Sequence, residues 1–325
     1  MLSLSLEPTQ TLAGRTYYSD TILGTWPKPT GVYLPPETYT DSGYVDMLIY
    51  LHGHVVTSID QLFNGDGVAV RKQVLASGKK IVLAAPYLGL GGKKGTTYNV
   101  DDLTGIWGQS FIDNVLNALV PPKLPKPDLM HPQIGLIPQL RLRNLVIACH
   151  SAGGAGMRNL VGALGRYKSN LCACWGFDCL YGVRDKDARF WYNWSRSKDG
   201  RPLYISFGRS TDYESILLYL MKEGITTETG ARSVADSPTA DGVQIEIGIQ
   251  TSKPFEDLME IDKLLQSTSP KPGQQQSMGS EFLDAALANL RRSAGWPTTE
   301  AASWAMHYEI ARAGLLRQLK ATSYL

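Results

Sequence analysis

The strongest feature of the hydrophobic pattern is an apolar run that leads through a sharp break into a helical repeat. Residues 145–149 are continuously apolar, which is typical of a strand buried on both faces. After residues 150–152, apolar side chains recur over 160–164 at a spacing that places them on one face of a helix. The pattern therefore predicts that Ser151 lies at a tight turn between a buried strand and a helix.

Strands and helices alternate along the rest of the chain. Apolar or alternating runs predict strands at 15–19, 31–34, 45–51, 80–85, 171–177, 203–207 and 243–249. Helical spacing predicts helices at 66–77, 102–119, 213–222, 282–292 and near the C-terminus. This alternation favours an α/β fold, a mostly parallel twisted sheet with helices on both faces.

The composition is that of a globular protein without an extreme charge. Of the 325 residues, 43% are hydrophobic and 19% charged, and 32 basic against 30 acidic side chains give a net charge of +2. This balance indicates neither nucleic acid nor an anionic membrane surface as a partner. The N-terminal residues do not resemble a signal peptide, and no run approaches the roughly 20 apolar residues of a membrane span. We therefore expect a cytoplasmic protein without an integral membrane segment; its oligomeric state is not predicted.

The four cysteines are expected to be free, buried thiols. Cys149, Cys172, Cys174 and Cys179 fall in or beside predicted strands, and their spacing matches no common zinc motif. Free buried thiols are typical of a reducing compartment.

The residues around Ser151 are small, as a sharp turn from strand to helix requires. Cys149 and Gly153, two positions before and after the serine, leave room for the turn, and Gly154 lets the helix start approach neighbouring strands. A serine so placed is typical of a nucleophile elbow. The amides at the helix N-terminus would favour an oxyanion formed there. The alternative interpretation is an ordinary N-cap serine.

This turn resembles that of the α/β-hydrolase family, usually written Gly-x-Ser-x-Gly, with Cys149 in place of the first glycine. The resemblance implies an α/β-hydrolase fold that forms a single domain over residues 1–325. Residues 183–200 and 250–305 are candidate lid or cap segments, the first because it is rich in aromatic residues.

The strand predicted at 45–51 runs directly into His52, Gly53 and His54. In α/β-hydrolases the loop after this strand provides one oxyanion-hole amide, and the residue after the nucleophile provides the other. The resemblance therefore implies the backbone N–H groups of His54, or Gly53, and of Ala152. The alternative, a metal pair of His52 and His54, lacks nearby Asp or further His ligands. We predict neither a metal nor a cofactor.

The resemblance also implies a base and an acid, in the chain order Ser, then Asp or Glu, then His. His307 is the only one of the five histidines after Ser151, and it stands just before the predicted last helix. Asp178 ends an apolar strand, where a carboxylate needs a partner such as an imidazole. Asp212 follows the next strand within a polar turn. Asp178 is the favoured acid and Asp212 the alternative.

The resemblance implies acyl transfer through an acyl-enzyme intermediate on Ser151, and the first hypothesis is a serine hydrolase that cleaves a carboxylic ester. The expected substrate is a small-molecule or lipid-like ester. Two alternatives stay open at this point: an amidase or peptidase with the same triad, and a non-catalytic α/β-hydrolase scaffold used for binding.

Overall fold

The computed structural model describes residues 5–6, 14–20, 22, 28–38, 43–54, 56–64, 68–89, 103–120, 139–179, 190–191, 194, 203–207, 243–247 and 300–325. The chain divides into two units, Met1–Leu180 with Ala311–Leu325, and Tyr181–Ile310. The candidate lid segments and the helices predicted at 213–222 and 282–292 lie largely or wholly outside the described residues. The assignment of residues 1–325 to a single domain stays a prediction.

Seven strands of the first unit form one sheet. In chain order they are β1 (Ser5–Leu6), β2 (Arg15–Ser19), β3 (Thr30–Leu34), β4 (Tyr44–Leu51), β5 (Ile81–Pro86), β6 (Arg141–His150) and β7 (Leu171–Phe177). Their order across the sheet is β1-β2-β3-β5-β4-β6-β7. The leading strands pair antiparallel up to β5, whereas β5, β4, β6 and β7 are parallel. The predicted α/β class is confirmed.

The central strands are buried almost throughout. All six residues of β5 and all but the first residue of β4 are buried, as are the last six residues of β6. A strand covered on both faces reads as a continuous apolar run, so 145–149 was recognisable in the sequence. β6 begins earlier than this apolar run, at Arg141. In its first half exposed Arg141 and Arg143 alternate with buried Leu142, so the apolar run covers only the second half of the strand.

Parallel pairing places two loops at the same level of the sheet. β4 pairs with β6 from Met47 opposite Leu145 to Leu51 opposite Cys149. Gly53 and Ser151 follow two residues after that last pair, so they leave the sheet side by side. Both lie at the carboxyl ends of parallel strands, which is where open α/β sheets bind ligands.

A buried carboxylate joins the same two strands at their opposite ends. Asp46 on β4 is 5% exposed. Its Oδ1 accepts hydrogen bonds from Arg143 Nε at 2.9 Å and from Asn144 N and Nδ2 at 3.2 and 3.0 Å. Asn144 Nδ2 also donates to Tyr324 O at 2.6 Å. The start of β6 and the last residues of the chain are thereby fixed against β4.

The described helices are α1 (Ile59–Asn64), α2 (Val70–Ser77), α3 (Ile106–Ala118), α4 (Gly153–Gly162) and α5 (Glu300–Ala321), with a 3-10 helix at Gly165–Asn170. The helix predicted at 66–77 is wrong at its start. Ala69 has a left-handed backbone with φ 50°, so α2 begins only at Val70 and the separate helix α1 precedes it.

The second unit contains a strand pair and an aromatic cluster. β8 (Leu203–Phe207) and β9 (Val243–Ile247) pair in parallel, with Leu203 opposite Val243. Trp191 is 2% exposed, and its ring meets Phe190 and Trp194 edge to face at centroid distances of 5.0 and 5.3 Å. Across both units, no helix among the described residues is long and apolar enough to cross a bilayer.

Candidate active site

Ser151 occupies a strained turn between β6 and α4. Its φ is 55°, a left-handed conformation that is uncommon for residues other than glycine. Its backbone N–H donates to Phe177 O at 3.1 Å, and its carbonyl accepts from Gly154 N at 3.0 Å. The side chain is neither fully buried nor fully exposed. The predicted strand, turn and helix are confirmed, and the turn leaves the serine partly accessible to solvent.

The two glycines after Ser151 are required by close backbone approach. A Cβ at Gly153 would collide with the carbonyl oxygen of Leu51, and one at Gly154 with that of Cys179. On the strand side of the turn, Cys149 is fully buried. A thiol is therefore small enough for the position that is usually glycine in this kind of turn.

The loop after β4 touches the serine directly. A Cβ added at Gly53 would lie 2.5 Å from Ser151 Cβ and 2.9 Å from its Oγ, so only glycine allows this approach. Ala152 is the N-cap of α4, with φ −56° and ψ −13°. The loop after β4 and the start of α4, the two expected sources of oxyanion-hole amides, therefore both lie next to Ser151.

His52 is held by backbone groups on both sides of its ring. Leu88 N–H donates to its Nε2 at 2.7 Å, and its Nδ1 lies 2.6 Å from Gly53 O. Since an amide N–H can only donate, Nε2 is the unprotonated nitrogen and Nδ1–H donates to the Gly53 carbonyl. The ring also stacks on Tyr87, with centroids 5.2 Å apart. This arrangement was not predicted from the sequence.

These bonds also bear on the metal alternative. Both ring nitrogens of His52 are engaged with backbone groups, while His54 is exposed, so a metal bound to this pair would have to displace at least one of those bonds. Within the described ranges, no three His, Cys, Asp or Glu side chains form a group that could hold a metal ion.

Burial is the main cause that lowers the pKa of His52 from 6.5 to about 4; the nearby His54 and Lys28 contribute in the same direction, and the bond to the Gly53 carbonyl opposes them. Between these values the unfolded chain binds a proton that the folded chain does not, so stability falls as the pH drops. We expect the free energy of unfolding to decrease by about 2 to 3 kcal/mol from this group between pH 7 and 4.5.

Urea unfolding of the wild type and of His52→Gln at both pH values measures this contribution. The variant should lose less stability than the wild type by the stated amount, because glutamine does not titrate. Equal losses in the two proteins would contradict the prediction.

Asp178 follows β7 directly and is fully buried. It is a second non-glycine residue with a left-handed backbone, φ 46°. The preceding Phe177 is the residue whose carbonyl accepts the Ser151 N–H, so Asp178 and the serine turn are tied through one residue. Asp212, the alternative acid, lies outside the described residues.

His307 belongs to the second unit and is 1% exposed. Its ring lies 5.7 Å from that of Tyr308, edge to face. The expectation that it precedes the last helix is wrong: α5 begins at Glu300, so His307 lies about two turns inside that helix.

All four cysteines are free. Cys149, Cys174 and Cys179 are buried as predicted, whereas Cys172 is partly exposed. Burial, with a contribution from Cys149, raises the pKa of the Cys174 thiol well above its usual value. This thiol is therefore protonated and unreactive at neutral pH.

Neither a protein-family model nor a curated protein sequence matches the chain. Among solved structures it is similar to an S-formylglutathione hydrolase from Agrobacterium tumefaciens, with 13% identity, a TM-score of 0.42 and coverage of 75% of this chain and 89% of that one. It is also similar to a ferulic acid esterase, with 14% identity, a TM-score of 0.39 and coverage of 76% of this chain and 90% of that one. A third similar structure is a carboxylesterase from Bacillus subtilis, with 10% identity, a TM-score of 0.33 and coverage of 83% of this chain and 93% of that one.

At these identities the chain's own topology decides the fold. Antiparallel leading strands are followed by parallel strands in the order β5-β4-β6-β7. A serine turn with a left-handed residue connects β6 to α4, next to the loop after β4. The chain has the α/β-hydrolase fold.

Proposed function

We propose that the protein is a serine hydrolase that cleaves a carboxylic ester, with Ser151 as nucleophile, His307 as general base and Asp178 as the acid that orients the base. The observation that carries the proposal is the backbone of Ser151, whose φ of 55° presents its side chain against Gly53. Strain of this kind in a non-glycine residue clusters at active sites, where the surroundings over-determine it.

The proposed reaction is acyl transfer to Ser151. Its Oγ attacks the ester carbonyl carbon while its proton passes to the His307 imidazole. The tetrahedral intermediate then breaks its bond to the alcohol oxygen, and the alcohol leaves with the proton from His307. A water molecule then attacks the acyl carbon while its proton passes to His307, and the bond between the acyl carbon and Ser151 Oγ breaks. His307 returns the proton to Oγ, which restores Ser151 and releases the carboxylic acid.

The proposed oxyanion hole consists of the backbone N–H of Ala152 and that of His54, or Gly53. Support comes from the position of Ala152 at the start of α4, where helix amides lack partners within the helix, and from the contact between Gly53 and Ser151. Removing one such donor in other enzymes costs roughly 3 kcal/mol of transition-state stabilisation.

Two features support Asp178 as the acid. It is fully buried, where an ionised carboxylate is stable only beside compensating groups such as an imidazolium. Its left-handed backbone is the second strained position next to the serine turn. A solvated turn residue would need neither burial nor strain.

Labelling with a fluorophosphonate probe tests the proposal. We expect stoichiometric labelling at Ser151, identified by mass spectrometry of the modified peptide, because only an activated serine hydroxyl reacts at an appreciable rate. Ser151→Ala should abolish labelling. Ser77→Ala is the matched control, since the Ser77 hydroxyl donates to Val74 O near the end of α2 and should leave labelling unchanged. A folded wild type that is not labelled would contradict the proposal and favour a binding scaffold.

A further inference from the structure

We propose that His52 and Tyr87 form a clamp that orients the backbone N–H of His54 toward the oxyanion. This inference rests on the proposed function and deepens it, because it selects His54 over Gly53 as the donor from the loop after β4. It also assigns positioning roles to two residues that touch neither substrate nor nucleophile in the proposed reaction.

The His52 ring fixes the orientation of the peptide unit between Gly53 and His54. The bond from His52 Nδ1–H to Gly53 O, at 2.6 Å, fixes the carbonyl of the peptide that joins Gly53 to His54. In a planar trans peptide the N–H points opposite to the C=O. A side chain that holds the Gly53 carbonyl on one side therefore points the His54 N–H to the other side.

The His52 imidazole is itself held in place by Leu88 and Tyr87. Its Nε2 accepts the Leu88 N–H at 2.7 Å, and its ring stacks on Tyr87 with an interplanar angle of 15°. The backbone N–H of Tyr87 donates to Pro29 O at 2.9 Å. The imidazole is therefore fixed to the segment that follows β5, which is itself fixed to the segment that precedes β3.

Tyr87 also reaches the far end of the loop after β4. Its hydroxyl donates to Thr57 O at 3.1 Å. Thr57 is held in turn by Gln61 at the start of α1, whose Oε1 accepts from Thr57 N at 2.6 Å and from Thr57 Oγ1 at 2.8 Å. The loop is thus fixed at its start by His52 and at its end by Tyr87, two rings in contact.

Burial keeps the clamp in one state. His52 is 1% exposed and Tyr87 7% exposed, and both bonds of the His52 ring nitrogens are buried, so water does not compete for those two bonds, and a neutral imidazole carries only one ring proton. The hydrogen-bonding direction of each ring nitrogen is then fixed. A donor preorganised in this way costs no reorganisation when negative charge develops on the substrate.

Two substitutions of His52 separate the halves of the clamp. His52→Asn can place its amide N–H near Nδ1 and still donate to Gly53 O, whereas His52→Gln can place its carbonyl near Nε2 and still accept from Leu88. We expect kcat for p-nitrophenyl acetate to fall by no more than about fivefold in His52→Asn and by about 100-fold in His52→Gln, the range found for loss of one oxyanion donor. KM should change by less than threefold in both.

Tyr87→Phe tests the second ring, because it keeps the stack and removes only the bond to Thr57. A fall in kcat of about threefold to tenfold is expected, as for loss of one neutral hydrogen bond. The matched control is Tyr167→Phe. The Tyr167 hydroxyl donates to Asp113 and accepts from Arg166 at 3.1 Å, and its loss should leave kcat unchanged.

The Asn and Gln variants distinguish positioning from general stability. If kcat falls equally in both variants, or follows their melting temperatures, the imidazole has only a structural role and the clamp is overturned. Wild-type kcat in both would also overturn it. A kcat near that of the wild type in His52→Asn but not in His52→Gln, at similar melting temperatures, supports the clamp.

Failure of the proposed function gives a different result. In that case the wild type shows no Ser151-dependent hydrolysis, and ¹⁵N spectra of the His52 ring still test the clamp. Neutral His52 with its proton on Nδ1 supports the bonding described here, whereas a proton on Nε2 removes the bond to Gly53 and overturns it.

Discussion

Replacing Ser151 by alanine is expected to lower kcat for p-nitrophenyl acetate by about 10⁴- to 10⁶-fold, the range found when a catalytic serine is removed from other hydrolases. The loss is large because no other group described at the turn can form the acyl-enzyme. The left-handed backbone of this position is unfavourable for alanine as it is for serine, so the melting temperature should change by only a few degrees. Full turnover by Ser151→Ala would end the assignment.

His307→Ala extends the same test to the proposed base. We expect a loss comparable to that of Ser151→Ala, because serine without its base is a weak nucleophile. The double variant should be no slower than the slower of the two single variants, since residues that act as one catalytic unit are strongly non-additive. Losses that multiply in the double variant would show that the two side chains act independently.

Replacing Asp178 by asparagine is expected to lower kcat by about 10³- to 10⁴-fold, as when the acid of a serine protease triad becomes its amide. Asparagine keeps the size of the side chain but removes the charge that stabilises the imidazolium. The comparison is with Asp212→Asn, which removes the same charge from the alternative acid and should cost less than about tenfold. Kinetics at saturating ester, with melting temperatures for both variants, measure the difference.

The reverse result would move the acid to Asp212. Similar small losses in both variants would leave His307 without an essential carboxylate. Since asparagine also tolerates left-handed backbone better than most residues, a collapse of the fold in Asp178→Asn is not expected. Circular dichroism of the variant checks that point.

The serine turn could be predicted because its requirements are local. Ser151 needs a buried strand before it, a helix after it and small residues on either side, and all of these fall within about ten residues. The backbone contacts made at Gly153 and Gly154 explain why those two positions carry no side chain. Strand β7 was predicted at its observed bounds for a similar reason, since its seven residues are almost entirely apolar and buried.

Contacts between distant segments could not be predicted in this way. His52 meets Leu88 across 36 positions of the chain, and nothing in the residues around His52 indicates that distant partner. The helix predicted at 66–77 was given too early a start, because Ala69 has a positive φ and an alanine in the sequence does not indicate such a conformation. For His307 the helical pattern was recognised, but not that it extends back to Glu300.

The bonds around Asp46 have a consequence for the opposite edge of the sheet. They hold β4 against the first residues of β6, close to the irregularity between Val45 and Met47. A slip of one residue in this register would displace Gly53 from Ser151 by about 3.3 Å and turn each side chain of the strand to the other face. The proposed alignment of Ser151 with the loop after β4 therefore depends in part on a carboxylate near the far end of the strand, and substitution of Asp46 is expected to disturb it.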